Sequence, residues 1–401
     1  MQERTFRSNH SFNKKRGRGG RPTGNFSRNR RNHVPQTDIS RYVKKAVGTT
    51  ALEEYIPKNQ FSDFNIIPQL KINIADKGFI KPTLIQDQAI PEILQGKDVI
   101  GIANTGTGKT ASFLIPLIEK VFKNKNEKVL IVLPTRELAL QIVGELNSFA
   151  KSLNIYSALC IGGAGMGKQI NALRRNPNFV IGTPGRLKDL INRNILKLSS
   201  FSNVVLDEVD RMLDMGFIHD IKHLISLMPV KRQSLFFSAT VSKEVDSLIL
   251  RFVKNPIKIS VKSGETSDNI DQDIVRVKDK AKKIEALHDL LIKDEFKKVL
   301  IFGRTKREVE NLSRALHQRG FKADSIHGDK SQSKRERVLR LFKSNQLQTL
   351  VATDVAARGL DIVDITHVIN YDPPNTYDDY IHRIGRTGRA NKTGKALTFV
   401  S

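Results

Sequence analysis

The sequence predicts an α/β protein made of two doubly wound parallel-sheet domains, and three features carry that prediction. Short, near-continuous apolar runs recur along the chain and alternate with stretches of helical period. Runs of that kind mark strands covered on both faces. The pattern breaks once, in the polar Lys262-Ser-Gly-Glu-Thr-Ser-Asp268, and then restarts. A chain of 401 residues is long enough for two such domains.

Composition narrows the partners. Hydrophobic residues make up 39% and charged residues 27%, a globular balance, yet the net charge is +26. So one-sided a field favours polyanions, nucleic acid first. Anionic membrane is a weaker rival, because no basic helix carries a clear apolar face. The one cysteine, Cys160, lies in the apolar Ala158-Leu-Cys-Ile161. A lone thiol excludes an intrachain disulfide and a thiolate zinc site, and it reads as core. No apolar run is long enough to span a bilayer, and the N-terminus lacks a signal-peptide core. A cytoplasmic location is expected.

Residues 1–45 read as a disordered basic tail. They hold 13 Lys and Arg against Glu3 and Asp38 alone, with Arg16-Gly-Arg-Gly-Gly-Arg21 typical of the stretch. Such an arm binds nucleic acid without sequence preference, and its grip falls steeply with salt. Residues 46–257 form the first domain. Its strand signals are Asp98-Val-Ile-Gly-Ile102, Lys128-Val-Leu-Ile-Val-Leu133, Phe179-Val-Ile-Gly182, Asn203-Val-Val-Leu206 and Ser234-Leu-Phe-Phe237. A helix from Arg136 to about Leu153 carries Leu138, Ile142, Leu146 and Phe149 at helical spacing. Residues 258–272 read as the linker. Residues 273–401 form the second domain, with strand signals at 298–302, 349–352, 367–370 and 396–400. It has no phosphate loop of its own, and it ends on a strand, so a closing helix is expected further on.

Between the strand at 98–102 and a helix opened by Ala111-Ser-Phe-Leu-Ile-Pro-Leu-Ile118 lies Ala103-Asn104-Thr105-Gly106-Thr107-Gly108-Lys109-Thr110. Glycines at this spacing let successive N–H groups turn toward an anion, and the helix N-terminus adds partial positive charge. Lys109 is placed for the outer phosphates of a nucleotide and the Thr110 hydroxyl for Mg²⁺. Ala103 stands where the first glycine of the motif belongs, so alone the stretch also fits an ordinary strand–turn–helix. Further on, Val204-Val-Leu-Asp207-Glu208-Val209-Asp210 ends a strand in acids, where open α/β sheets bind ligands. Asp207 suits Mg²⁺ held through water, and Glu208 suits polarising an attacking water.

Six further stretches fall into register with these. They are Gly78-Phe-Ile-Lys-Pro-Thr-Leu-Ile-Gln86, Pro134-Thr-Arg-Glu-Leu-Ala139, Thr183-Pro-Gly-Arg186, Ser238-Ala-Thr240, Ala352-Thr-Asp-Val-Ala-Ala-Arg-Gly-Leu-Asp361 and His382-Arg-Ile-Gly-Arg-Thr-Gly-Arg389. In order and spacing they resemble the DEAD-box RNA helicases of superfamily 2, over roughly residues 58–401. The resemblance implies two tandem RecA-like domains that hydrolyse ATP on RNA. It implies that Gln86 selects adenine, that Phe61 stacks on the base, and that Thr105, Gly106, Thr107 and Gly108 line the phosphates with Lys109 and Thr110. Asp210, Ser238, Thr240 and His382 become a relay coupling nucleotide state to domain closure. Arg386 and Arg389 become arginine fingers, with Asp354 and Arg358 nearby. The RNA backbone falls to Pro134, Thr135, Arg136, Gly162, Gly163, Thr183, Pro184, Gly185 and Arg186, and across the cleft to Arg304, Gln332, Arg335, Thr353 and Gly359.

Two positions depart from the family's usual residues: Val209 replaces alanine, and Asn104 replaces glutamine. The acids and both fingers are intact. Opening about five stacked steps at roughly 1.4 kcal/mol each costs about 7 kcal/mol. Micromolar ligand binding supplies about 8 kcal/mol, so short duplexes are within reach and processive unwinding is not. The expected protein is a monomeric RNA-dependent ATPase using ATP and Mg²⁺, acting on RNA and ribonucleoprotein. An ATP-gated RNA clamp and a DNA translocase are the other readings; slow phosphate release marks the first, stimulation by single-stranded DNA the second.

Overall fold

The computed structural model describes residues 42–46, 55–104, 106–240, 243–261, 269–357, 362, 364–388 and 393–400. Thirteen strands among them form two sheets, and every ladder is parallel. The first sheet holds β1 (Val99–Ile102), β2 (Val129–Val132), β3 (Ser157–Cys160), β4 (Phe179–Gly182), β5 (Asn203–Asp207), β6 (Gln233–Ser238) and β7 (Ile257–Ser260), in the order β3-β4-β2-β5-β6-β1-β7. The second holds β8 (Ile270–Arg276), β9 (Val299–Phe302), β10 (Ala323–Ile326), β11 (Thr349–Ala352), β12 (His367–Asn370) and β13 (Gly394–Val400), in the order β10-β11-β9-β12-β13-β8.

The unbroken apolar runs follow from this. Successive side chains of a strand leave on opposite faces, so a sheet covered on both sides needs both sets apolar. In β2, Val129 and Ile131 enter one core with Phe113 and Ile142, from the helices Lys109–Lys123 and Arg136–Phe149. Leu130 and Val132 enter the other, with Leu187 and Leu224 from Pro184–Asn192 and Ile218–Ser226. The second lobe repeats the scheme: Val299 and Ile301 face one core, Leu300 and Phe302 the other.

The linker and the tail differ from the sequence reading. Residues 258–260 and 270–272, read as linker, are strand and belong to β7 and β8, the outer strands of the two sheets. An edge strand covers one side only, so its alternate polar residues hide it from a search for apolar runs. Residues 1–41 of the tail lie outside the described residues. Residues 42–45, assigned to it by composition, are fixed on the second lobe. Tyr42 is buried against Tyr380, ring centroids 4.7 Å apart. Lys44 makes an antiparallel bridge with Gln272 of β8 through two N–H···O bonds of 3.1 and 2.8 Å. Ala46 N–H donates to Asp271 at 3.0 Å. The next described residues hold the first lobe instead: Lys58 and Asn59 N–H groups donate to the Asp87 carboxylate at 2.7 and 3.1 Å.

Candidate functional site

Parallel sheets gather their loops at the carboxyl ends of the strands. The order of the first sheet sorts the predicted residues into two groups there. β1, β5 and β6 lead into the phosphate loop, the Asp207–Glu208 pair and Ser238–Thr240, and these three strands are neighbours. β2, β3 and β4, also neighbours, lead into Pro134–Arg136, Gly162–Gly163 and Thr183–Arg186. The second sheet divides likewise. Arg304, Gln332, Arg335 and Thr353 follow β9, β10 and β11, whereas His382 and Arg386 come after β12.

In the phosphate loop Gly106 and Gly108 have φ of +87° and +93°, left-handed values that glycine adopts without strain. Gln86 holds this loop from beneath. Its Nε2 donates to Gly108 O at 3.1 Å and its Oε1 accepts from Thr83 N–H at 3.0 Å. Thr83 Oγ1 donates to Thr107 O at 2.8 Å. Lys109 begins the following helix, and its Nζ is buried with no hydrogen-bond partner. Thr110 follows it, half-buried. Phe61 is only 7% exposed and packs edge-on against Phe64 and Phe79, so its ring belongs to the first lobe's core.

Asp207 closes β5. Burial pushes its carboxyl up to about 6, Glu208 and Asp210 add to the rise, and Lys109 opposes it. Glu208, at φ +55°, turns the strand into the helix Val209–Asp214, a strained setting for a side-chain-bearing residue. Its Oε2 is buried with no hydrogen bond, and lies 3.5 Å from Arg211 Nη1. Asp210 is the anchor of the group: its Oδ2 accepts from Ala239 N–H, Thr240 N–H and Thr240 Oγ1 at 3.1, 2.9 and 3.1 Å. Burial works against ionisation of Asp210, but those bonds with Lys109 and Arg211 outweigh it and hold the carboxyl below its usual range. Ser238 Oγ accepts from Asp210 N–H at 3.3 Å and donates to Thr240 O at 2.7 Å. His382 meets Arg211, at 3.3 Å. Burial pushes its imidazole down to about 4.

On the other half of the cleft, Arg136 lies over Gly162 and Gly163. A Cβ at Gly163 would sit 2.2 Å from Arg136 Nη1 and push the guanidinium aside, and its φ of +77° favours glycine as well. Burial, then Arg335 and Arg186, lower the pKa of Arg136, with Glu137 in opposition. Three guanidiniums close enough to repel one another form a place suited to anions. Arg335 also makes an ionic contact across the cleft, to Glu137 of the first lobe at 2.6 Å, both side chains buried. Thr135 caps the helix Arg136–Phe149 and Thr183 precedes Pro184–Asn192, presenting helix N-termini on this side. Gln332 is buried and bonds Glu336 at 3.1 Å; Thr353 is buried, and Arg304 is exposed. Asp354 is engaged by Arg383, whose Nε and Nη2 reach its two oxygens at 2.6 and 2.7 Å. Arg386 is buried. Thr105, Arg358, Gly359 and Arg389 lie outside the described residues. Sequence reasoning passed over Arg211, Glu137 and Arg383; their burial and their charged partners identify them only in three dimensions.

Residues 83–248 match the sequence model of the DEAD/DEAH box helicases, and residues 282–391 that of the helicase conserved C-terminal domain. The DEAD-box ATP-dependent RNA helicase CshA of Bacillus subtilis is 48% identical over 348 residues, 85% of this chain and 69% of that protein. CshA of Geobacillus kaustophilus is 48% identical over 343 residues, 85% of this chain and 73% of that one. Among solved structures, Saccharomyces cerevisiae Dbp5 bound to RNA and ADP BeF3 superimposes with a TM-score of 0.76 at 30% identity, covering 85% of this chain and 89% of that one. Mss116p bound to single-stranded RNA and AMP-PNP also gives 0.76 at 30%, over 86% and 76%. A DEAD box protein of Methanococcus jannaschii, 43% identical over 85% and 93%, reaches only 0.50. Both lobes are matched in the family's order, and nearly half the residues are shared with its members over most of the chain, which therefore belongs to the DEAD-box ATP-dependent RNA helicases.

Proposed function

We propose that ATP binds across the carboxyl ends of β1, β5 and β6 and that RNA binds across those of β2, β3 and β4, with the second lobe completing both sites. The reading rests on one observation above all: the Lys109 ammonium is buried without a hydrogen bond beside buried Asp207, and an oxygen of Glu208 in the same group also makes none. Leaving such groups unmatched costs about 1–3 kcal/mol each or more, and a triphosphate with its cation satisfies them. Lys109 holds the outer phosphates and Gln86 the base, while Phe61, packed into the core, supports that side of the pocket from within. Thr110 and Asp207 suit Mg²⁺, since a hydroxyl and a buried carboxyl crowded by other acids are the hard oxygen donors that cation takes. The ion, when bound, neutralises charge on the phosphates.

Hydrolysis then follows from the chain's own groups. Glu208 takes a proton from water as the water oxygen bonds the γ-phosphorus and the bond to the ADP oxygen breaks. Arg386 and Arg389 stabilise the charge that develops, and such fingers contribute on the order of 10³–10⁵ in rate. The Arg136, Arg186 and Arg335 group takes phosphates of the RNA backbone, so RNA is bound without regard to sequence and ribose hydroxyls distinguish it from DNA. A strand bent into this cleft leaves its duplex partner, which separates short duplexes or remodels ribonucleoprotein. The chain acts as a monomer, in the cytoplasm.

Lys109→Ala and Glu208→Gln are expected to abolish RNA-stimulated ATP turnover, and Arg386→Ala to do so while sparing ATP binding. Full turnover in any of the three overturns the reading.

A further inference from the structure

Arg211 is absent from the proposed chemistry, yet it is among the largest fully buried side chains, at 2% exposure. It stands three residues beyond Glu208 on the short helix Val209–Asp214, one turn along and on the same side. Its Nη1 lies 3.5 Å from Glu208 Oε2, and its Nη2 lies 3.3 Å from Nδ1 of His382, which belongs to the other lobe. A guanidinium has donors and no acceptor, so Nδ1 must accept the bond. His382 is then neutral, with its proton on Nε2, in keeping with its lowered pKa. The groups around this imidazole are Arg211, Asp210, Arg386 and Glu208. One planar fork thus spans a carboxylate of the first lobe and an imidazole of the second.

We infer that Arg211 is a positioning residue for hydrolysis, aligning Glu208 only when His382 arrives with the second lobe. The inference rests on Glu208 acting as the base. A buried guanidinium must have an anion near it, and Glu208 Oε2 is within ionic reach. With the lobes together, His382 occupies the second prong and limits the fork to one orientation. With the lobes apart that prong is free, the fork turns, and the carboxylate it faces is released. Glu208 is attached to a strained turn, so its aim depends on what its side chain meets. Arg211 therefore makes the base sensitive to closure, independently of the fingers.

The test uses the full chain with Arg211→Met, Arg211→Lys, His382→Gln and the Arg211→Met/His382→Gln pair. RNA-stimulated kcat is measured at saturating ATP and RNA, and Kd for a fluorescent ATP analogue by titration. Displacing a reacting group by 1 Å can cost about 100-fold, so Arg211→Met is expected to lower kcat about 10- to 100-fold. Nucleotide Kd is expected to stay within about twofold, because the phosphates are held elsewhere. Arg211→Lys keeps the charge, but a point charge cannot span both partners; it is expected to lose about tenfold in kcat, with the thermal midpoint measured alongside to show that it is folded. The pair is expected to be no worse than Arg211→Met alone, since both changes break one link. A wild-type kcat in Arg211→Lys, losses that multiply in the pair, or a Kd that rises in step with the loss of kcat overturns the inference. Glu208→Gln separates the two claims. Full turnover there removes the base itself, whereas an inactive Glu208→Gln beside a fully active Arg211→Lys removes only the positioning role.

Discussion

Gly108 and Gln86 limit one another. A Cβ at Gly108 would come within 2.3 Å of Gln86 Nε2, and φ is +93°. Gly108→Ala must therefore displace the amide that supports the loop, at a cost of about 1–3 kcal/mol. Nucleotide affinity is expected to fall about tenfold in an equilibrium titration, with the thermal midpoint of the first lobe lowered by a few degrees. His367 shows burial acting on stability. It stacks on Phe296, centroids 3.8 Å apart, and burial pushes its pKa from 6.5 down to about 4. Between those values the unfolded chain binds the proton and the folded one does not, so stability falls as pH drops from 6.5 toward 4. The full effect is about 1.4 kcal/mol per pH unit in that window. Denaturant midpoints at pH 7.5 and pH 5 are expected to lie closer together in His367→Gln than in the parent chain.

Among the elements, the helix Tyr377–Ile384 is the one that joins fold to chemistry. Thr376 caps it, accepting from Asp379 N–H at 3.1 Å. Arg383 fastens it to Asp354 through two bonds and to the Asp372 carbonyl at 2.6 Å. Asp354→Ala strands a guanidinium that is 4% exposed, at a cost of about 3 kcal/mol. Thermal unfolding of the second lobe is expected several degrees lower, and Asp354→Asn is expected to recover part of the loss. The elements the sequence made legible were those with one strong signal, such as the apolar runs of β2, β4 and β9. β10, Ala323-Asp-Ser-Ile326, was not legible, because it is an edge strand with polar residues at its centre. The site was legible as motifs, since loops at strand ends carry their chemistry in sequence. The pairings Arg211–His382 and Arg335–Glu137 were not, because each joins residues more than a hundred apart that only the meeting of the lobes brings together.

For the whole molecule, the Arg335–Glu137 contact at 2.6 Å gives closure a cost and a reward. Apart, both groups are hydrated; together, each neutralises the other. Arg335→Ala leaves Glu137 buried alone in the closed state only, a penalty of about 3–5 kcal/mol. Apparent affinities for RNA and for ATP are therefore expected to weaken together, while the lobes melt at unchanged temperature. A loss confined to RNA would mean that Arg335 acts on phosphate alone.

The bridge between Lys44 and Gln272 adds a mechanical consequence. The chain is fixed on the second lobe at Ala46 and on the first at Lys58, and it crosses back between β7 and β8, so two connections join the lobes rather than one. Ala46 and Tyr55 are nine residues apart, which permits a reach of at most about 32 Å. Wider separation has to peel the strap off β8.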